Sequence, residues 1–175
     1  MNSAIQNTLA PISRYRPASW EQIPDLGLYM DQVVTFITRV YEPLYGQDIH
    51  SYLSPSMINN YVKSKLIPRP TGKKYSREQI ALLMMIVALK QTCSMEDIRR
   101  MLARDDGQSV EALYSAFCLR FSQVIQSMCG EKSPVATPRS ALDFAILASG
   151  YSAGCATLLK SESDPTGRAV KPTTV

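Results

Sequence analysis

Ser76-Arg77-Glu78-Gln79-Ile80-Ala81-Leu82-Leu83-Met84-Met85-Ile86-Val87-Ala88-Leu89 decides the fold class of this chain. Its first four residues form a capping box: the Ser76 hydroxyl can accept from the N–H of Gln79 while the Gln79 side chain reaches back to the N–H of Ser76. The ten residues from Ile80 to Leu89 are apolar on every side of a helix. That is too short to cross a membrane, so the segment predicts a central buried helix wrapped by other elements. No stretch alternates convincingly at period two. The expected fold is all-α, with at most a tiny β-hairpin over residues 67–75.

Directly upstream, Ser54 is a plausible N-cap and Pro55 suits the first helical position, which predicts a helix over 55–65. At 100° per residue Ile58, Tyr61 and Val62 point inward, while Ser56, Asn60 and Lys63 point out, with Asn59 and Ser64 on the flanks. Pro68-Arg69-Pro70 ends the helix and leads into Thr71-Gly72-Lys73-Lys74-Tyr75. From Ile49 to Arg77 there is no Asp or Glu, but there are six cations: Lys63, Lys65, Arg69, Lys73, Lys74 and Arg77. Residues 51–104 hold ten Lys/Arg against three acids, a charge of +7, which leaves −3 for the rest of a chain of net +4. A basic segment on an otherwise slightly acidic protein is the footprint of a polyanion-binding surface, although a merely solvated cationic face has the same charge pattern.

Further out, residues 1–18 lack a sustained period and read as a loose arm. Trp20, Ile23 and Pro24 could pack over the core as the chain enters a long helix at 25–45. There Met30, Val33, Val34, Ile37, Val40, Tyr41 and Leu44 recur at three- and four-residue steps, and the helix ends near Pro43 to Gly46. His50 falls in the connection that follows. Beyond the apolar helix, Thr92-Cys93 breaks the pattern, Ser94 caps a short helix carrying Ile98, Met101 and Leu102, and Asp105-Asp106-Gly107 stops it.

From Ser109, a stripe through Val110, Leu113, Tyr114, Phe117, Phe121, Val124, Ile125 and Met128 predicts a long helix that Gly130 can terminate. Residues 133–136 read as a linker, with Thr137-Pro138 capping a last helix. In that helix Leu142, Ala145, Ile146, Ser149, Ala153, Ala156 and Leu159 form a narrow seam suited to intramolecular docking or to a homodimer. Ser140–Leu159 has Asp143 as its only charge but few large aliphatics, so a packing helix is expected and not a membrane span. The expected organisation is an arm at 1–18, a domain at 19–105, a helical pair at 106–160 and a disordered tail at 161–175.

Catalysis is poorly supported. One histidine leaves little room for a Cys/His or Ser-His-Asp arrangement, and no G-x-S-x-G, P-loop or dinucleotide fingerprint occurs. Asp105-Asp106 is adjacent along the chain, so its two carboxylates would diverge. Cys118 and Cys129 are eleven residues apart on one helix, too far for a single metal ion. No enzyme activity, metal or cofactor is expected. The four widely spaced cysteines and the absence of a secretory start point to free thiols in the cytoplasm.

The order of the pieces over residues 52–104 resembles the winged helix-turn-helix domain of the MerR family of bacterial transcription regulators. Leu53-Ser54, Ile58, Asn60-Tyr61 and Leu66-Ile67 fall at the spacing of that family's first run. Lys73-Lys74-Tyr75-Ser76 matches the end of its wing, and Thr92-Cys93-Ser94-Met95-Glu96-Asp97-Ile98 its last turn. From Trp20 to Leu159 the chain is also similar to a small uncharacterised bacterial family with an Ile-Pro-x-Pro-x-x-Lys-Lys-Tyr core, a likeness that brings no activity with it. The wing, Ile67 to Tyr75, is shorter than in ordinary MerR proteins. The usual C-terminal dimerisation helix and effector domain are replaced by two helices without a recognisable ligand site.

The resemblance implies a DNA-binding transcriptional regulator whose partner is double-stranded DNA. Ser56, Asn59, Asn60 and Lys63 would enter the major groove, where Asn can pair both edges of adenine and Lys can meet guanine acceptors. Arg69, Lys73, Lys74 and Arg77 would hold phosphates, while Tyr61 and Tyr75 pack inward. A homodimer through the 109–159 helices is a further expectation. The alternative is a helical protein-interaction module, binding a partner or a second copy, without specific DNA recognition.

Overall fold

The computed structural model describes residues 3–103, 107–130 and 137–163. Within them the chain is all-α, as expected. Its helices are α1 (Ser3–Ser13), α2 (Met30–Tyr45), α3 (Ile49–Tyr52), α4 (Pro55–Lys63), α5 (Arg77–Leu89), α6 (Met95–Met101), α7 (Val110–Met128) and α8 (Ala141–Ser163). Strand-like pairing among the described residues is limited to two isolated bridges, Thr71 with Lys74 and Leu28 with Tyr75.

Helix α5 is the centre. Every residue from Gln79 to Leu89 is buried, and α2, α7 and α8 pack around it. Its capping box forms as read, with Gln79 N donating to Ser76 Oγ at 3.4 Å and Ser76 N to Gln79 Oε1 at 2.8 Å. Each fully buried Leu, Ile or Met contributes about 1.5–3 kcal/mol, so this one helix drives the assembly of the others. Two buried hydroxyls tie neighbouring segments together. Tyr41 donates to the Met84 carbonyl at 2.8 Å, and Tyr114 donates to the Ala18 carbonyl at 2.7 Å.

Most of the small-residue seam of α8 docks within the chain, whereas Leu159 at its end is exposed. Ala145, Ile146, Ser149 and Ala153 are buried, and α7 is the main neighbour of α8. Arg120 of α7 pairs with Asp143 at 2.9 Å, and the Ser149 hydroxyl meets that of Thr92 at 3.1 Å. At the far end Lys160 reaches the Asp48 carboxylate at 2.6 Å and the Tyr45 carbonyl at 3.0 Å. Among the described residues one helix, over Ala141–Lys160, is long and apolar enough to cross a membrane by length and composition.

Several expectations need correction. Where a loose arm was expected, α1 buries Leu9 and Ile12 and touches α2, α7 and α8, and Tyr15 just after it stacks on Tyr41. Helix α2 begins at Met30, not 25, because Gly27 takes a positive φ of 64° and Leu28 exchanges both backbone hydrogen bonds with Tyr75. Helix α4 stops at Lys63, two residues early. The cap of α8 is Ser140, which accepts from Asp143 N at 3.2 Å, and not Thr137. The expected domains at 19–105 and 106–160 share one hydrophobic core, since α5 packs directly on α7 and α8. Helix α8 runs through Ser163, into the expected tail. Asp105-Asp106 of the expected helix stop, the 133–136 linker and residues 164–175 lie outside the described residues.

A methyl group at Gly150 would collide with Val124 Cγ1, with Val124 Cβ only 3.3 Å away, whereas one at Gly154 would meet the thioether of Met128. Valine is stiff and methionine is not. Gly150→Ala is therefore expected to destabilise the protein by about 1–2 kcal/mol despite alanine's better helix propensity. Gly154→Ala should be near neutral. Urea denaturation of the two variants checks the difference.

Candidate nucleic-acid interface

Helix α4 is fastened on one side and open on the other. Ser54 Oγ accepts from Met57 N at 3.3 Å and Pro55 occupies the first turn, as the sequence predicts. Ile58 and Tyr61 are buried, and α4 rests against α2. The C-terminal residue of the α5 cap, Lys90, holds α4 from below. Its ammonium donates to the Tyr52 carbonyl at 2.9 Å and the Tyr61 hydroxyl at 3.3 Å, and lies 3.4 Å from Met57 Sδ. Burial pushes the Lys90 ammonium below the ordinary lysine pKa and the Tyr61 phenol above the ordinary tyrosine value. On the opposite face Ser56, Asn59, Asn60 and Lys63 are all exposed. Positions 56, 59, 60 and 63 fall within about 100° of arc, so the four side chains form one surface.

The helix ends in a Schellman turn. Leu66 N donates to the Tyr61 carbonyl at 2.9 Å and Lys65 N to that of Val62 at 3.1 Å. This requires a left-handed residue where glycine is usual, yet Lys65 stands there with φ of 58°. The chain then passes Ile67, which is buried, and Pro68, whose carbonyl accepts from Gln79 Nε2 at 3.0 Å. Gln79 thus completes the cap of α5 and anchors the start of the basic turn.

The turn itself is Thr71-Gly72-Lys73-Lys74, closed by Lys74 N donating to the Thr71 carbonyl at 3.0 Å. Gly72 and Lys73 have φ of 56° and 66°, the positive pair that marks a type I′ hairpin turn. The expected hairpin is thus reduced to one turn, and its following residue, Tyr75, pairs with Leu28 instead of with Ile67 or Pro68. Tyr75 is buried, as the sequence reading has it.

The four expected phosphate ligands separate here. Arg69, Lys73 and Lys74 are exposed. The Lys74 ammonium lies 5.2 Å from the centre of the Tyr29 ring, a stacking that steadies the side chain while leaving its charge in solvent. Arg77 is not on this surface. Its Nε donates to the Ile23 carbonyl at 2.8 Å, its guanidinium lies 5.6 Å from the centre of the Trp20 ring, and it pairs with Asp25 at 3.5 Å. Arginine's planar fork suits such a half-buried junction, so Arg77 serves the fold.

Two further cations join the surface. A groove of about 540 Å³ runs between the end of α4, residues 65–69 and α6. Its rim holds Lys63, Lys65, Arg69 and Arg99, with no acidic residue in the lining among the described residues, and Leu66, Leu82 and Leu102 line its apolar part. Arg99 donates to the Ser64 carbonyl at 2.8 Å and to Glu96 at 2.6 Å, so it is only partly neutralised. Sequence spacing could not find Arg99, which meets α4 through tertiary packing. Lys65 was visible as a charge, but not its conformation.

Among the described residues no cluster of His, Cys, Asp and Glu could hold a metal ion. None of the four cysteines is in a disulfide. Burial pushes Cys118 up to about 11, which leaves it unreactive near neutrality.

Residues 18–117 match a family described as a domain of unknown function, DUF1836. The chain belongs to the DUF1836 family. No curated protein and no solved structure matches it. The DUF1836 match takes in α2 to α6 and ends within α7 at Phe117, so it holds every candidate contact on the α4 surface and leaves α1 and α8 outside.

An L-residue in the left-handed region costs about 1–2 kcal/mol, part of which glycine returns through its greater freedom in the unfolded chain. Lys65→Gly in this DUF1836 protein is therefore expected to raise stability by about 0.5–1 kcal/mol. A thermal melt showing destabilisation would contradict the Schellman geometry.

Proposed function

We propose that this DUF1836 protein is a cytoplasmic, sequence-specific DNA-binding transcriptional regulator of MerR-like winged helix-turn-helix type. Helix α4 reads the major groove and the basic turn grips phosphates. The observation that carries the reading is the single exposed surface of Ser56, Asn59, Asn60 and Lys63 on a helix locked from behind by Ile58, Tyr61 and Lys90. A rigid element presenting amide and ammonium groups is what base-edge recognition needs. At nine residues α4 is about 13 Å long, comparable with the roughly 12 Å width of the major groove.

Arg69, Lys73 and Lys74 supply the phosphate contacts, and Lys65 and Arg99 extend them along the groove beside α6. Arg77 is left out because its guanidinium is spent on Ile23, Trp20 and Asp25. The order of α4, basic turn, buried α5 and short α6 is consistent with the MerR-like arrangement. With the wing cut to one I′ turn, its grip on DNA falls to Lys73 and Lys74. No cofactor or catalytic group has a part in this reading.

Binding-site selection followed by gel shifts tests it. Wild type is expected to select a defined sequence, with affinity falling steeply as salt rises. Each phosphate contact adds about −0.9 to the log–log slope, so Lys73→Glu with Lys74→Glu should weaken binding to all sequences and make the slope shallower by about 2. Asn60→Ala should instead change the preferred base at one position, with a loss of about 1–3 kcal/mol there. An unaltered preference in Asn60→Ala removes α4 from the groove. Purely nonspecific binding, together with capture of one stoichiometric protein partner, would favour the alternative of a helical protein-interaction module.

A further inference from the structure

A second groove, of about 530 Å³, opens between the end of α1, the segment that follows it and the outer side of α2. Its volume lies in the range of small-molecule sites. On α2 the lining residues Phe36, Arg39 and Val40 share one helical face. Phe36 and Val40 are half-buried against the core and give the groove an apolar floor. Arg14, Arg16 and Gln22 complete the lining opposite them, so the groove carries three guanidinium groups and no acidic residue among the described residues.

The three arginines differ in what already holds them. Arg16 serves the end of α1: its Nη1 donates to the Ser13 carbonyl at 2.8 Å and to the Tyr15 carbonyl at 2.7 Å, which fixes its charge in place. Arg14 and Arg39 are exposed and, among the described residues, have neither a hydrogen bond nor an ion pair. The acids close to them in sequence are engaged or distant. Glu42 accepts from Gln47 at 3.5 Å. Hydrogen bonds with its own backbone N–H and with the Ser19 side chain hold Glu21 below the ordinary carboxylate pKa. Asp31 lines a neighbouring groove together with Arg39, but stands eight residues, about 12 Å, away along α2. The Gln22 oxygen accepts from Ser19 N at 2.7 Å, which leaves the amide nitrogen as a donor on the groove.

We propose that this groove binds a nucleoside phosphate, with the phosphates on Arg14, Arg16 and Arg39 and the base against Phe36. Charge complementarity selects the anionic end. Three cations without an acid in the described lining match a ligand of two or three negative charges, and a simple carboxylate leaves most of that charge unanswered. The apolar floor selects the other end. Inorganic phosphate leaves it unused, whereas a flat base covers the Phe36 ring. Arginine suits both ends, since its planar fork meets phosphate oxygens bidentately and stacks on flat rings. The site does not depend on DNA binding, because no residue of the α4 surface lines this groove.

Isothermal titration of the full-length chain with ADP as the probe is expected to give one ADP per chain. Pyrophosphate should bind more weakly and displace ADP, and adenosine should not bind measurably. Arg14→Gln and Arg39→Gln, both at exposed positions, should each weaken ADP binding by about tenfold or more at an unchanged melting temperature. Phe36→Leu should weaken ADP but not pyrophosphate, whose retained binding shows that the variant is folded. Lys73→Glu with Lys74→Glu should leave ADP binding unaltered. No ADP binding at millimolar concentration, or wild-type affinity in Arg39→Gln, overturns the proposal. So does loss of ADP binding in the Lys73 and Lys74 variant, which places the anion on the α4 surface. Equal affinity for ADP and pyrophosphate overturns it in favour of a bare anion site, and reduced duplex affinity in Arg14→Gln overturns it in favour of DNA phosphate. Gel shifts with the selected duplex report on the α4 surface separately, so either reading can fail alone.

Discussion

A helix that is apolar on all sides has no face to give to water, and α5 imposes this constraint on the whole protein. Other helices must enclose it, and α2, α7 and α8 do so. Polar groups enter only at its ends, and both are used to place the same surface. At the N-terminal end the Gln79 amide holds the Pro68 carbonyl. At the C-terminal end the Lys90 ammonium holds the Tyr52 carbonyl and the Tyr61 hydroxyl. Gln79 and Lys90 are about 16 Å apart along the helix, so α5 acts as a ruler that sets α4 against the turn that follows it.

With its back and both ends fixed, α4 can display short polar side chains at no cost to the core. The two non-glycine residues of positive φ among the described residues are both lysines of this surface, Lys65 and Lys73. Glycine would be the easier choice at either position, so the strain is maintained where positive charge is displayed, a pattern associated with functional surfaces. Arg77 shows the converse. It sits within the same run of cations, but its hydrogen bond to Ile23 and its stacking on Trp20 fasten the N-terminal segment to the start of α5.

Much of this was legible in the chain because local hydrogen bonding leaves a local signature. The caps read at Ser54, Ser76 and Ser94 all form, Ser76 with the Gln79 partner that the spacing indicates. The inward turn of Ile58 and Tyr61 followed from helical period, and that of Tyr75 from the family resemblance. What was missed depends on contacts between distant residues. Helix α1 carries Pro11 and too few apolar residues to stand alone, and forms because Leu9 and Ile12 pack on helices more than a hundred residues away. Arg77 finds its acceptor 54 residues upstream. Arg99 joins the basic groove only once α6 lies against α4. Helix α8 is apolar on both faces, so periodicity could not say which stripe docks inside. Packing against Val124 and Met128 decides that Gly150 and Gly154 turn inward and Tyr151 outward.

The central claim is that the surface of α4 and the basic turn is the part that meets DNA. The most direct measurement is an amide chemical-shift titration of the isotope-labelled protein with its selected duplex. The account predicts that the perturbed resonances cluster at Ser56, Asn59, Asn60 and Lys63 and at Lys65, Arg69, Lys73 and Lys74, while those of α7 and α8 stay in place. Perturbations centred elsewhere, with Asn59 and Asn60 unmoved at saturation, would contradict it.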